Sequence, residues 1–424
     1  MSSSRFITLG ILIGLLLLVD LYVFQAVKAV AENTAYKRFI YSFYWAISIL
    51  SVAGIFWYNF VQLENVPINK TLIIGFVFVN YFSKLFVVII LFIDDFIRLS
   101  KWIASFFSKN SATIPTTSTP VTSEDNHITR SDFLMKTALI AGAVPLATMS
   151  FGILSGAHDY RIRRKTLYLP NLPKAFDGIR IAQLSDIHSG SFFNKVAVKG
   201  GVEMLLSEKP DVIFFTGDLV NNTAKEVEEY VPIFEKVKAP LGVYTILGNH
   251  DYGDYVRWNS LEAKQQNLED LITAHQQMGW DLLMDEHRFI EVDKEKIAVI
   301  GVENWGTGRF PKYGNLSEAY KGVEEAPVKL LLSHDPSHWD AQIRPQFPDI
   351  DLTLSGHTHG MQFGIEIGDF RWSPVKYRYK QWADLYKEGN QYLYVNRGYG
   401  YIGFPGRVGI LPEITLLELK TSDV

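Results

Sequence analysis

The sequence predicts an α/β domain whose sheet is covered on both faces by helices, preceded by a bundle of about four transmembrane helices. Three observations carry this. The first 155 of the 424 residues are dominated by long apolar runs. The remainder alternates short, nearly continuous apolar stretches with amphipathic ones, the pattern of strands buried on both sides. Each of five successive strand-like stretches ends in a polar cluster of one chemical kind.

The apolar runs cover about 6–24, 39–61, 71–93 and 133–154. A bilayer core about 30 Å thick takes roughly 20 helical residues, and each run is near that length. Lys136 lies near the start of the fourth run, and Asp20 and Lys84 lie deeper in the first and third, read as an interfacial acid and a lysine that snorkels or faces the bundle interior. Gly142 and Pro145 in the fourth run are tolerated where neighbouring helices satisfy freed backbone groups. Ala29-Val30-Ala31 resembles a signal-peptidase site, but Arg5 is the only cation ahead of the apolar run and more spans follow. The first helix is therefore read as retained. The Ser/Thr/Pro-rich segment at about 108–126 is too polar to fold and is expected to be a disordered loop. Lys and Arg are denser in the first and third loops, which sets the amino terminus and the following domain outside the cytoplasm. The cluster Arg161, Arg163, Arg164 and Lys165 after the last span argues the other way. The expected division is 1–155 for the membrane region and 156–424 for the second domain.

Net charge is −4 with no dense basic stretch, which argues against a nucleic-acid partner. With no cysteine, disulfides, zinc-thiolate sites and a cysteine nucleophile are excluded.

In the second domain, strands are expected at Ile179–Leu184, Val212–Thr216, Val243–Leu247, Val328–Leu332 and Leu352–Leu354. They lead into Asp186-Ile187-His188, Gly217-Asp218, Gly248-Asn249-His250-Asp251, His334 and Gly356-His357-Thr358-His359. In such sheets ligands gather outside the strand carboxyl ends. The one-residue spacing of Asp186 with His188, and of His357 with His359, turns both members of each pair to one side of an extended strand end. Taken singly, Asp218 or Asn249 is a turn residue and His334 a satisfied histidine. Together they converge, since five of the ten histidines lie in these clusters. The mixed nitrogen and oxygen donors suit divalent manganese, iron or zinc better than calcium.

The order D-x-H, G-D, G-N-H-D, H, G-H-x-H resembles the calcineurin-like metallophosphoesterase superfamily, from about Gly178 to the carboxy terminus. The segment through Gln362, Asn396-Arg397-Gly398, Pro405-Gly406-Arg407 and Pro412-Glu413 is similar to its bacterial membrane-anchored or exported branch. Met361 stands where relatives in that branch commonly have Gly, a departure beside the site that bears on substrate access. The resemblance implies a sandwich of two β-sheets flanked by helices. It also implies two divalent metal ions, one held by Asp186, His188 and His359 and the other by Asn249, His334 and His357, with Asp218 bridging both. The expected reaction is hydrolysis of a phosphate ester or pyrophosphate by a metal-bridging hydroxide. His250 is expected to contact phosphate and protonate the leaving group, with Asp251 orienting its ring; the alternative for Asp251 is loop capping. The expected partners are the membrane and a phosphorylated small-molecule or lipid-linked substrate, since some relatives resemble UDP-diacylglucosamine pyrophosphatases. The expected location is a bacterial inner or cell membrane. The competing reading is a catalytically dead scaffold that binds or senses at the membrane; it predicts missing ligands, and none is missing. Arg397 and Arg407 are read as surface or structural arginines and Trp305 as a core aromatic.

Overall fold

The computed structural model describes residues 3–60, 67–107, 130–368 and 370–422. Two compact units divide at Ser150 and Phe151. The expected polar loop at 108–126 lies outside the described residues.

The first unit is helical: α1 (Ser3–Ala31), α2 (Lys37–Phe60), α3 (Pro67–Phe107) and α4 (Arg130–Leu154). All four are long and apolar enough to cross a membrane. Apolar side chains such as Ile7, Leu18, Phe43 and Ile93 are more than half exposed, as a lipid-facing surface requires. The polar groups turn inward. Lys84 Nζ on α3 lies 2.6 Å from Asp20 Oδ1 on α1 and 3.0 Å from Ser48 Oγ on α2. Tyr81 donates to Asp20 Oδ2 at 3.0 Å, and Lys84 sits 4.6 Å from the centre of the Tyr44 ring. Asp20 and Lys84 thus satisfy each other, with Lys84 facing the bundle interior. Gly142 on α4 lies against α3, where a Cβ would meet Val87 at 2.4 Å; small residues allow this approach. Helix α3 is 41 residues long and continues well past the expected end near Ile93. The continuation is amphipathic and is supported by an Arg98–Asp94 pair one turn apart at 2.8 Å.

The second unit contains two six-stranded sheets. The first has the order β1 (Arg161–Leu169), β14 (Glu413–Thr421), β2 (Arg180–Leu184), β3 (Val212–Phe215), β4 (Val243–Thr245), β5 (Asp281–Leu282). The second runs β12 (Asp384–Glu388), β13 (Gln391–Val395), β9 (Leu352–Ser355), β8 (Lys329–Leu332), β7 (Glu295–Gly301), β6 (Glu286–Val292). A separate hairpin pairs β10 (Ile365–Ile367) with β11 (Phe370–Trp372). Strands β2 to β5 are mutually parallel, as are β7, β8, β9 and β13.

Side-chain alternation explains the continuous apolar runs. Ile181, Val212 and Phe214 of the first sheet share one core with Val299, Leu330 and Leu354 of the second, so the sheets pack face to face. The alternate residues Ala182, Leu184, Ile213 and Phe215 pack on helices α5 (Lys195–Ser207) and Leu261–Met278. Ala298, Ile300 and Leu331 pack on Trp339 and Ile343 across the other outer face. Both faces of each sheet are therefore dry, and the expected α/β sandwich flanked by helices is the architecture observed. The five expected strands are all present, with ends shifted by one or two residues.

Candidate metal centre

Strands β2, β3 and β4 of one sheet and β8 and β9 of the other release their carboxyl ends toward the same place. The backbone there is forced to turn at once. Asp186, His188, Asp218, His357 and His359 all have positive φ, from 48° to 69°, and make up five of the twelve described non-glycine residues that do. Such conformations cost on the order of 1–3 kcal/mol each and persist where surrounding structure over-determines them. Here it does. Asp186 accepts the His357 N–H at 2.9 Å, and Asp218 Oδ1 accepts the His250 N–H at 2.9 Å. Asp251 accepts backbone N–H groups from Asp218, Leu219 and Gly248 at 2.8, 2.9 and 2.8 Å, and from Val220 at 3.2 Å.

The side chains form two groups, Asp186 with His188 and His359, and Asp218 with His334 and His357. Within the first, His188 Nε2 and His359 Nε2 are 3.0 Å apart, and His359 Nε2 is 3.3 Å from Asp186 Oδ1. Within the second, His334 Nε2 is 3.2 Å from Asp218 Oδ2. Asn249 joins this group through its Oδ1, 2.8 Å from His357 Nδ1. Asp218 Oδ2 is also 3.4 Å from His188 Nε2, so one carboxylate oxygen stands between the groups. All seven residues proposed as ligands from sequence are thus brought together.

The donor set fits divalent cations. Atoms bonded at 2.0–2.2 Å to one ion, with angles of 90° to 109°, lie about 2.9–3.5 Å apart, which is the spacing found. His334 donates Nδ1–H to the Thr216 carbonyl at 2.7 Å, so its Nε2 faces Asp218; burial lowers this imidazole, but Asp218 and Asp186 beside it raise it to about 10, and a cation bound there would displace a proton. That Nε2 is fully buried and has no hydrogen-bond partner. Burial pushes the His188 imidazole down to about 3 and lowers His357 and His359 as well, so these rings are neutral donors at neutral pH. Burial acts to raise the Asp218 carboxyl, but His334, His250 and His188 around it hold it well below the usual range.

His250 stands at the rim, its ring 5.1 Å from that of His188 and 4.6 Å from Tyr255. Its Nδ1 is 2.8 Å from the Asn221 carbonyl, and this carbonyl orients the ring. The orienting role expected of Asp251 is therefore not what the geometry shows. The Asp251 carboxylate is occupied by four backbone amides and caps the Asp218 loop, the alternative weighed from sequence.

Two tyrosines missed in the sequence complete the surroundings. Tyr379 OH is 2.7 Å from His357 Nε2 and 3.4 Å from Asp335 Oδ2. Tyr255 OH accepts from Asn249 Nδ2 at 2.8 Å. No spacing in the sequence ties either residue to its histidine or asparagine. Arg397 and Arg407 are both buried. Arg397 pairs with Glu413 and Glu366 at 2.5 and 2.6 Å, while Arg407 Nη2 donates to the carbonyls of Gly400 and Arg397. Neither lies at the surface, and Arg407 Nη2 is also 3.2 Å from Nδ1 of His359. Trp305 is partly buried and stacks on His338 with ring centres 4.3 Å apart.

Comparison with known families agrees with this geometry. Residues 179–361 match the family model for calcineurin-like phosphoesterases, and residues 4–157 match one described as "Probable Calcineurin-like phosphoesterase, transmembrane domain". The uncharacterized metallophosphoesterase YkuE of Bacillus subtilis is 30% identical over 270 residues, covering 63% of this chain and 87% of that protein. A transmembrane protein with metallophosphoesterase domain from Danio rerio is 30% identical over 281 residues, covering 64% of this chain and 60% of its own length. An uncharacterized metallophosphoesterase of Aquifex aeolicus is 27% identical over 292 residues, covering 64% of this chain and 98% of that one.

Proposed function

This chain belongs to the calcineurin-like metallophosphoesterases, and we propose that it is a membrane-attached hydrolase of phosphate esters or pyrophosphates with a two-metal centre. The observation that carries the proposal is Asp218 Oδ2, within 3.2 Å of His334 Nε2 and 3.4 Å of His188 Nε2. One carboxylate placed between two donor groups is what a shared ligand requires. Asp186, His188 and His359 would hold one cation, Asn249, His334 and His357 the other, and Asp218 both. Two divalent ions of manganese, iron or zinc bound there would acidify a water and neutralise charge on the phosphoryl oxygens.

The chain's own groups do the rest. His250, with Nδ1 held by the Asn221 carbonyl, has Nε2 left to contact phosphate and, when protonated, to give its proton to the leaving oxygen. Asp251 fixes the Asp218 loop through four amides and so keeps the shared carboxylate in place. Burial of these groups strengthens each electrostatic contact. Attachment to a membrane favours a lipid-linked phosphate over a soluble one, and the Lys/Arg distribution in the loops favours a catalytic domain outside the cytoplasm, at a bacterial cell membrane.

The test is Asp218→Asn. With manganese supplied, the wild-type chain is expected to hydrolyse p-nitrophenyl phosphate or its bis ester and the variant to lose metal-dependent turnover. Full retention of activity would remove the shared-ligand assignment.

A further inference from the structure

The hairpin of β10 and β11 is built inside out. Its register opposes Ile365 to Trp372, Glu366 to Arg371 and Ile367 to Phe370. Directly opposed residues lie on one face of an antiparallel pair, so Ile365, Ile367, Phe370 and Trp372 share a face, and Glu366 and Arg371 share the other. A hairpin lying on a soluble core turns its apolar face inward. Here the charged face is the anchored one. Glu366 takes Arg397 Nη2 at 2.6 Å and Arg163 Nη2 at 2.7 Å, and Arg371 reaches Asp384 Oδ2 at 2.6 Å. The apolar face is left in water, with Ile367 73%, Phe370 61% and Ile365 48% exposed. A contiguous exposed apolar surface of this kind marks an interaction site.

A cationic cleft accompanies it. A cavity of about 530 Å³ is lined by Arg371, Lys376, Tyr377, Arg378, Lys380 and Trp382, and among these Lys376, Arg378 and Lys380 are exposed. Both features belong to the segment that braces the metal centre. Ser373 Oγ donates to the Gly360 carbonyl at 2.7 Å, Thr358 Oγ1 donates to the Trp382 carbonyl at 2.6 Å, and Tyr379 meets His357. Met361, next to Gly360 in the H-x-H loop, is 58% exposed.

We infer that this hairpin and cleft form a docking surface for a bilayer containing anionic phospholipid. The apolar face enters the headgroup and acyl boundary, and the three cations meet lipid phosphates. Two observations select a bilayer as the occupant. The chain carries four membrane-length helices, so a bilayer is always present at high effective concentration. The mixture of an apolar ridge with adjoining cations matches an anionic interface, where a soluble phosphate would engage the cations alone. Docking would bring lipid-borne phosphate to the metal centre. That consequence rests on the phosphoesterase reading, whereas docking itself does not.

The chain has no cysteine, so a single one placed at Ile367 or Phe370 can carry an environment-sensitive fluorophore. The full chain, in nanodiscs of phosphatidylcholine and phosphatidylglycerol, would be labelled as Ile367→Cys, Phe370→Cys or, as control, Leu261→Cys, which is 82% exposed at the start of another helix. The expected result is a blue-shifted label at Ile367 and Phe370, quenched by spin-labelled lipid and shielded from iodide, with the control showing the reverse. The quenching is expected to weaken when phosphatidylglycerol is omitted or when Lys376→Glu and Arg378→Glu are introduced. Iodide quenching at Ile367 and Phe370 equal to that of the control would overturn the proposal. Shielding from both quenchers in discs holding two chains would overturn it too, by assigning the surface to a second copy. Because the label reads docking without catalysis, this inference and the phosphoesterase reading fail separately.

Discussion

Replacing Tyr379 by Phe removes one oxygen atom and tests how the second cation's histidine is held. His357 turns Nδ1 toward Asn249 Oδ1, 2.8 Å away, and Nε2 toward the Tyr379 hydroxyl at 2.7 Å. For Nδ1 to offer a lone pair, Nε2 must carry the proton and donate it to the hydroxyl, which can in turn donate to Asp335 Oδ2 at 3.4 Å. A net hydrogen bond contributes about 0.5–1.5 kcal/mol. Loss of a group that orients a metal-bound histidine typically weakens affinity about 10–100-fold. The lower end applies, because Asp335 Oδ2 already lies 3.7 Å from His357 Nε2 and can take over part of the contact. The expected loss is therefore about tenfold, or about 1.4 kcal/mol, in one of two manganese affinities. Titration of the chelator-stripped chain, with free manganese followed by electron paramagnetic resonance, reads both sites. Two unchanged affinities would refute the orienting role of Tyr379.

The remaining predictions concern other parts of the molecule. His250→Gln is expected to lower turnover about 10²–10⁴-fold, the range for a lost general acid, while metal content by elemental analysis stays at the wild-type level; a loss of metal would make His250 a ligand. Lys84→Met leaves the Asp20 carboxylate buried without its 2.6 Å partner, and about 3–5 kcal/mol of stability should be lost. Thermal unfolding in nanodiscs should show this, and adding Asp20→Leu should recover most of it. His275 is fully buried, with Thr245 Oγ1 near its Nδ1, and burial holds its imidazole down to about 3. The unfolded chain, with its histidine near 6.5, then binds more protons below that pH. Stability supplied by the neutral ring is present above about 6.5 and drains away as pH falls toward 3, by at most about 4–5 kcal/mol. His275→Gln should flatten the acid limb of a tryptophan-fluorescence unfolding profile; an unchanged limb would assign acid lability to other groups.

How far the sequence discloses this molecule depends on whether a feature repeats a local rule. Strands β2, β3, β4, β8 and β9 were legible because burial on both faces leaves a run of apolar residues, and because each run stops at Asp, Asn or His. The candidate ligands were legible for the same reason, as each follows its strand within four residues. Helix α3 was cut short because Asp94, Asp95 and Arg98 look like the end of a span, whereas the amphipathic pattern simply continues. The Asp20–Lys84 pair needs helix packing across 64 residues, and no periodicity announces it. Asp251 was given to His250 by adjacency, yet the tight Gly248–Asp251 turn directs its carboxylate back onto the Asp218 loop. The β10–β11 hairpin escaped notice because its strands have three residues each and its apolar face is the exposed one.

The central claim is that Asp218 joins two cations in one hydrolytic centre. The direct measurement is manganese titration of the chelator-stripped, full-length chain in nanodiscs, with bound metal and hydrolysis of p-nitrophenyl phosphate, its bis ester and a lipid pyrophosphate read on the same samples. Two bound equivalents are expected, with hydrolysis that appears only as the second one fills and loss of both features in Asp218→Asn. Binding of a single equivalent, or cleavage of none of the three substrates with manganese, iron or zinc, would contradict it.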